Sequence, residues 1–178
     1  FWGPTSAFKD FALQMLPRLL SAAAKKCGEE RLIAILVATS GDTGKAALEG
    51  FSDVPGTRVV VYYPEDGVSD VQKSQMVTQR GENVGVCAVS GNFDDAQTGV
   101  KQLFTSPDFQ GEMDKLHKVM YSANSINFGR LAPQIAYYFS AYADLARQGA
   151  VALGEPVHFV VPTGNFGNIL AAHYARLM

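Results

Sequence analysis

Phe8, Phe11, Ala12, Met15, Leu16, Leu19 and Leu20 recur at three- and four-residue intervals, placing them on one face of a helix from Phe8 to about Ala24. Pro17 falls inside that pattern and predicts a kink or a break, because proline lacks the N–H and its ring crowds the preceding turn. Gly28 ends the segment, and the period then changes. Leu32–Ala38 is an unbroken apolar run, the pattern of a strand covered on both faces. A polar turn, Thr39–Gly44, leads into a helix over Lys45–Phe51. The alternation continues with a strand at Arg58–Tyr63, a helix at Val68–Arg80, a strand at Asn83–Val89 and a helix at Asp94–Phe104. This order predicts an α/β fold in which parallel sheets are flanked by helices. Thr105–Lys118 is more polar and reads as a linker or insertion. Ser122–Gln148 predicts one or two helices interrupted at Pro133, and Pro156–Val161 a last strand that runs through Gly164–Asn168 into a closing helix.

Composition narrows the function classes. Of 178 residues 47% are hydrophobic, enough to bury a sizeable core, which excludes a disordered chain. The formal net charge is −2 with no run of like charge, so neither nucleic acid nor an anionic membrane surface is an expected partner. Cys27 and Cys87 lie far apart without metal-ligand spacing and read as reduced structural thiols in a cytoplasmic setting, with no metal expected. The chain opens at Phe1 inside a motif and closes at Met178 inside a helical pattern, and is expected to be an internal part of a longer protein.

Four segments carry candidate chemistry. In Gly-Pro-Thr-Ser-Ala-Phe-Lys-Asp, Lys9 stands between Phe8 and Phe11, with Asp10 beside it and Thr5 or Ser6 available as a cap. Desolvation disfavours an ammonium ion, so a lysine in apolar surroundings is a candidate to capture an aldehyde as a Schiff base. Thr39-Ser40-Gly41-Asp42-Thr43-Gly44 ends in Gly-Lys but is no phosphate-binding Walker loop, since Thr39 and Ala46 occupy its required glycine and hydroxyl positions. A hydroxyl-rich loop after a buried strand suits a carboxylate or small polar ligand. Asn124-Ser125-Ile126-Asn127-Phe128-Gly129-Arg130 gathers amides, a hydroxyl and a guanidinium, a donor set for an anion or else an ordinary capped helix with a surface arginine. Gly164-Asn165-Phe166-Gly167-Asn168 precedes a helix, and its glycines let backbone amides approach an oxyanion. An aldehyde for Lys9 and a phosphate for this turn together describe pyridoxal 5'-phosphate.

These segments, with Gly-Asn-Phe-Asp-Asp-Ala-Gln (Gly91–Gln97), resemble threonine synthase, a pyridoxal-phosphate enzyme of the tryptophan-synthase-β-like fold, fold type II, and they span nearly the whole chain in that family's order. The resemblance implies that Lys9 holds the cofactor aldehyde and later moves protons on the substrate. It implies that Gly164, Asn165, Phe166, Gly167 and Asn168 hold the cofactor phosphate. Asp42 matches a position that is asparagine in many relatives and aspartate in one branch, beside the hydroxyl of the cofactor ring. Ser40 and Thr43 would lie near the substrate carboxylate, and Asn124, Ser125 and Arg130 would hold the phosphate of O-phospho-L-homoserine. Two lobes are implied, the smaller over 32–121, the larger, here incomplete, over 1–28 and 122–178, with the smaller closing over substrate. The hydroxyl residue that meets the pyridine nitrogen in this family has no counterpart here. The implied reaction is O-phospho-L-homoserine and water to L-threonine and phosphate. Alternatives within the fold are a serine or threonine dehydratase or a threonine-synthase-like phospho-lyase; beyond it stand a non-catalytic cofactor-binding protein and a purely structural α/β domain.

Overall fold

The computed structural model describes residues 3–125 and 127–178. Its centre is strand β1 (Leu32–Ala38), whose buried residues Ile33 to Ala38 match the two-sided burial that the apolar run predicts. β2 (Thr57–Pro64) and β3 (Val84–Val89) add on one side of β1 and β4 (Lys118–Ser122) on the other, so the order is β3-β2-β1-β4 and every pair is parallel. In register, Ile35 of β1 stands opposite Val59 of β2 and Tyr121 of β4. Among the described residues the strands form this one sheet.

Helices cover both faces. Helix α1 (Asp10–Cys27), α2 (Asp42–Phe51) and α3 (Asp70–Val77) lie over one face, where Leu13, Leu16, Val37, Phe51, Val61 and Met76 share a core. Helices α4 (Phe93–Thr105) and α5 (Pro107–Lys115) cover the other through Leu36, Ala96, Val100, Phe104 and Phe109. α4 opens on a reciprocal cap in which Asn92 accepts from the Asp95 amide and Asp95 accepts from the Asn92 amide. A third cluster joins α6 (Phe128–Leu131), α7 (Ile135–Arg147) and α8 (Gly167–Leu177) through Leu131, Tyr138 and Ala171.

Four expectations are corrected. Thr105–Lys118 is no linker: Ser106 caps α5 through the Phe109 amide with Pro107 at the first helical position, and β4 follows. Pro17 does not break α1, which runs continuously to a left-handed cap at Gly28. Proline removes the hydrogen bond that Leu13 O would accept, and α2 moves into the gap: a Cβ on Gly50 would stand 2.0 Å from that oxygen. α2 begins at Asp42 rather than Lys45, so Asp42 and Thr43 belong to a helical first turn. Finally, Pro156–Val161 forms no strand; Val160 is 93% exposed, and among the described residues no neighbouring strand takes up its backbone hydrogen bonds. Pro133, by contrast, interrupts the helical pattern as expected, inside a 3₁₀ turn at Ala132–Gln134 ahead of α7.

Candidate active site

Asp10 shapes the turn that presents Lys9. Its buried carboxylate accepts hydrogen bonds from the Thr5 amide at 2.9 Å, the Thr5 hydroxyl at 2.5 Å and the Ala7 amide at 3.3 Å. Gly3 makes room for it, since a Cβ there would fall 2.2 Å from Asp10 Oδ2. Asp10, rather than Thr5 or Ser6 as a helix cap, therefore ties the loop to the start of α1. Lys9 is left at the N-cap with its side chain only 11% exposed. Its Nζ donates to Asp42 Oδ2 and lies 4.2 Å from the centre of the Phe8 ring. Phe11 packs on Tyr137. The amine thus sits against the Phe8 ring and the Asp42 carboxylate.

Asp42 is held in place from the sheet. Thr39, buried at the end of β1, accepts from the amides of Gly41 at 2.9 Å and Gly44 at 3.0 Å, and so caps α2. Gly41 adopts φ +145° and has the Gln72 side chain packed where a Cβ would project, 2.3 Å from its Oε1. Asp42 Oδ1 accepts from the Thr43 amide at 2.9 Å. Ser40 is exposed, and Asp42 and Thr43 are half-buried.

The third segment leaves the carboxyl end of β4. Asn127 acts as the cap of α6: its Oδ1 accepts from Gly129 N and its Nδ2 donates to Ser122 O. Asn124 N donates to the Ser122 hydroxyl. Arg130 is buried at 4% exposure, not at the surface, and its Nη1 donates to Ala123 O at 2.8 Å. Among the described residues Nε is enclosed without a hydrogen-bond partner. Burial pushes the Arg130 pKa down to about 10, against the opposing pull of the Asp42 carboxylate. Ile126 lies outside the described residues.

The Gly164–Asn168 turn closes the arrangement. Gly164, Asn165 and Phe166 are exposed, and α8 starts at Gly167 without a side-chain cap, so among the described residues no side chain of the cap takes up its first amides. A Cβ on Gly167 would lie 3.5 Å from Ser125 Cβ, which places this turn against the Asn124–Arg130 segment. Asn168 faces inward: Tyr138 Oη donates to its Oδ1 at 2.7 Å, and its Nδ2 donates to Gln134 Oε1 at 3.1 Å.

Topology explains why these segments meet. The chain steps from β1 through β2 to β3 in one direction, while β4 lies on the other side of β1, so the order reverses between β1 and β4. Thr39–Thr43 follows the carboxyl end of β1 and Ala123–Arg130 that of β4. Crevices at such reversals are where open parallel sheets bind ligands. The sequence reading lacked β4, a five-residue strand with Lys118 and Tyr121 interrupting its apolar pattern, and therefore lacked the crevice. It also passed over Thr39 as a cap, and Gln134 and Tyr138, which read as ordinary helix residues. The Ser106-Pro107 helix start was the signal that could have exposed α5 and then β4.

No protein-family model matches the chain. Human threonine synthase-like 1 is 46% identical over 185 residues, covering 100% of this chain and 24% of that protein. Threonine synthase of Pseudomonas aeruginosa is 46% identical over 181 residues, with 100% and 35% covered. The chain is homologous to the threonine synthases. It spans about a quarter to a third of the length of these curated relatives. Among solved structures, PLP-bound threonine synthase from Brucella melitensis superposes with a TM-score of 0.82 at 40% identity, over 98% of this chain and 35% of that one. Yeast threonine synthase gives 0.82 at 38% identity, over 99% and 34%. An O-acetylserine sulfhydrylase from Entamoeba histolytica, at 18% identity and a TM-score of 0.67, shares the fold. The architecture is that of the fold type II pyridoxal-phosphate enzymes.

Proposed function

We propose that this chain supplies the catalytic lysine and much of the cofactor and substrate site of a threonine synthase, which turns O-phospho-L-homoserine and water into L-threonine and phosphate. The observation that carries the reading is the meeting of the Lys9 amine with Asp42 at the β1/β4 crevice, from segments 33 residues apart. The residues present fit pyridoxal 5'-phosphate: a shielded primary amine for its aldehyde, and an uncapped helix start with open amides for its phosphate. Pyridoxal phosphate, when bound, supplies an electron sink for a carbanion at the substrate α-carbon.

The chain's own residues do the rest. Lys9 offers Nζ to the aldehyde and, as a free amine, moves the α-proton and then protons at the β-carbon. Amides of Gly164, Asn165, Phe166, Gly167 and Asn168 would hold the cofactor phosphate, and Asp42 would serve the ring hydroxyl. Ser40 and Thr43 orient the substrate carboxylate. Asn124 and Ser125 receive the substrate phosphate, and Arg130 favours the charge that grows there as the bond to the γ-carbon breaks. The division into a smaller lobe over 32–121 and a larger one over 1–28 and 122–178 belongs to the same proposal, with the site between them.

The test is spectroscopic. Cofactor added to the purified protein should produce an absorbance band near the visible edge that shifts when O-phospho-L-homoserine follows. Lys9→Ala should abolish the band while leaving the far-ultraviolet circular dichroism intact. A normal band and normal turnover in that variant would remove Lys9 from the mechanism.

A further inference from the structure

Gln134 lies in the 3₁₀ turn between α6 and α7, is only 3% exposed, and uses both ends of its amide. Its Nε2 donates to the carbonyl of Arg130 at 3.0 Å, the last residue of the Asn124–Arg130 segment. Its Oε1 accepts from Asn168 Nδ2 at 3.1 Å, the last residue of the Gly164–Asn168 turn. Tyr138, one helical turn further on, donates from its hydroxyl to the Asn168 side chain at 2.7 Å and to the Asn168 carbonyl at 3.0 Å. Buried polar groups with satisfied partners have little freedom, because each broken bond leaves an unpaired donor or acceptor. Two side chains outside every ligand-binding segment therefore hold Asn168 at the start of α8.

We propose that Gln134, assisted by Tyr138, is the positioning residue that aims the Gly164–Asn168 amides at the cofactor phosphate and ties them in register to the Asn124–Arg130 segment. The inference rests on the cofactor reading above and deepens it. Asn168, in this arrangement, contributes its backbone amide to the anion while its side chain faces Gln134 and Tyr138. Gln134 touches neither ligand; it acts through Asn168 on one side and through the Arg130 carbonyl on the other.

The decisive measurement compares two ligands that share the aldehyde and differ in the phosphate. Dissociation constants for pyridoxal 5'-phosphate and for pyridoxal, measured by absorbance titration, give a ratio that isolates the contribution of the phosphate turn. Gln134→Met keeps the side-chain volume and removes both hydrogen bonds; Tyr138→Phe removes one hydroxyl and serves where the first variant folds poorly. Each is expected to lower the phosphate preference by about fivefold to tenfold, the fold-change that corresponds to losing one hydrogen bond on Asn168. Pyridoxal affinity should hardly move. General loosening of the fold weakens both ligands alike and leaves the ratio unchanged, so an unchanged ratio in both variants overturns the proposal. If the unsubstituted protein itself shows no preference for the phosphorylated ligand, the cofactor reading falls first and this inference with it.

Discussion

Lys9 and Arg130 show how much a residue's role depends on its immediate partner. Lys9 is shielded yet paired with Asp42, so its charge is answered by a carboxylate rather than abandoned in an apolar pocket. Arg130 is the opposite case, a buried guanidinium that among the described residues has one carbonyl partner and an unpartnered Nε. Burial that lowers its pKa to about 10 also makes the site receptive to an anion, because an incoming phosphate would offset the desolvation of the charge. Arg130→Ala is therefore expected to raise the concentration of O-phospho-L-homoserine needed for turnover, a loss of about 2–5 kcal/mol in apparent binding, while cofactor remains bound. Steady-state kinetics alongside a cofactor titration decide it; unaltered substrate dependence removes Arg130 from the site. Lys9, Asp42, the hydroxyl loop and the glycine turn were legible in the sequence because each is a contiguous motif. Gln134 and Tyr138 were not, since a glutamine and a tyrosine in a helical pattern carry no local sign of what they will reach.

At the scale of elements, close approach governs. Pro17 leaves Leu13 O without its helical partner, and Gly50 brings α2 against that oxygen. Gly50→Ala would drive a methyl group to 2.0 Å from a backbone atom, so it should lower stability by about 1–3 kcal/mol, read as a lower urea midpoint. A wild-type midpoint would mean that the α1/α2 contact yields readily. Gly167 is less crowded: alanine there meets Ser125 at ordinary contact distance, whereas leucine must displace it. Gly167→Ala should therefore keep cofactor affinity and Gly167→Leu lose it by about 1–3 kcal/mol, the usual range for overpacking. Equal titrations for the two would detach this turn from the cofactor. Element boundaries were read within a few residues wherever periodicity was strong, as in β1 and α4. β4 was missed because five residues at the edge of a sheet need not alternate cleanly, and only pairing with Leu32–Leu36 gives them strand geometry.

For the whole molecule, the sheet is tied by charge as well as by packing where the chain enters β1. Arg31, at the entry to β1, donates to Glu29 at 2.7 Å and to Asp114 of α5 at 3.1 Å. Hydrogen bonds from Arg31 hold the Glu29 carboxyl down to about 2, from an ordinary 4.5. A depressed carboxylate stabilises the fold above its unfolded pKa and loses that contribution as pH falls from about 4.5 through 2. The stability difference between the unsubstituted protein and Glu29→Gln should accordingly be present at pH 6, shrink through that window and weaken in high salt, since the half-buried pair is still reached by solvent. A difference independent of pH would assign the effect to something other than this ion pair. Among the described residues no helix is long and apolar enough to cross a membrane. By itself the sequence determined the α/β alternation, the buried central strand and the identity of the chemical motifs, because periodicity and glycine placement are local properties that short-range sterics enforce. Only the tertiary structure decided that β4 lies beside β1, that strand order reverses there, that Lys9 meets Asp42, and that Arg130 is interior. These depend on which distant surfaces bury one another, and burial is a property of the assembled chain rather than of any window along it.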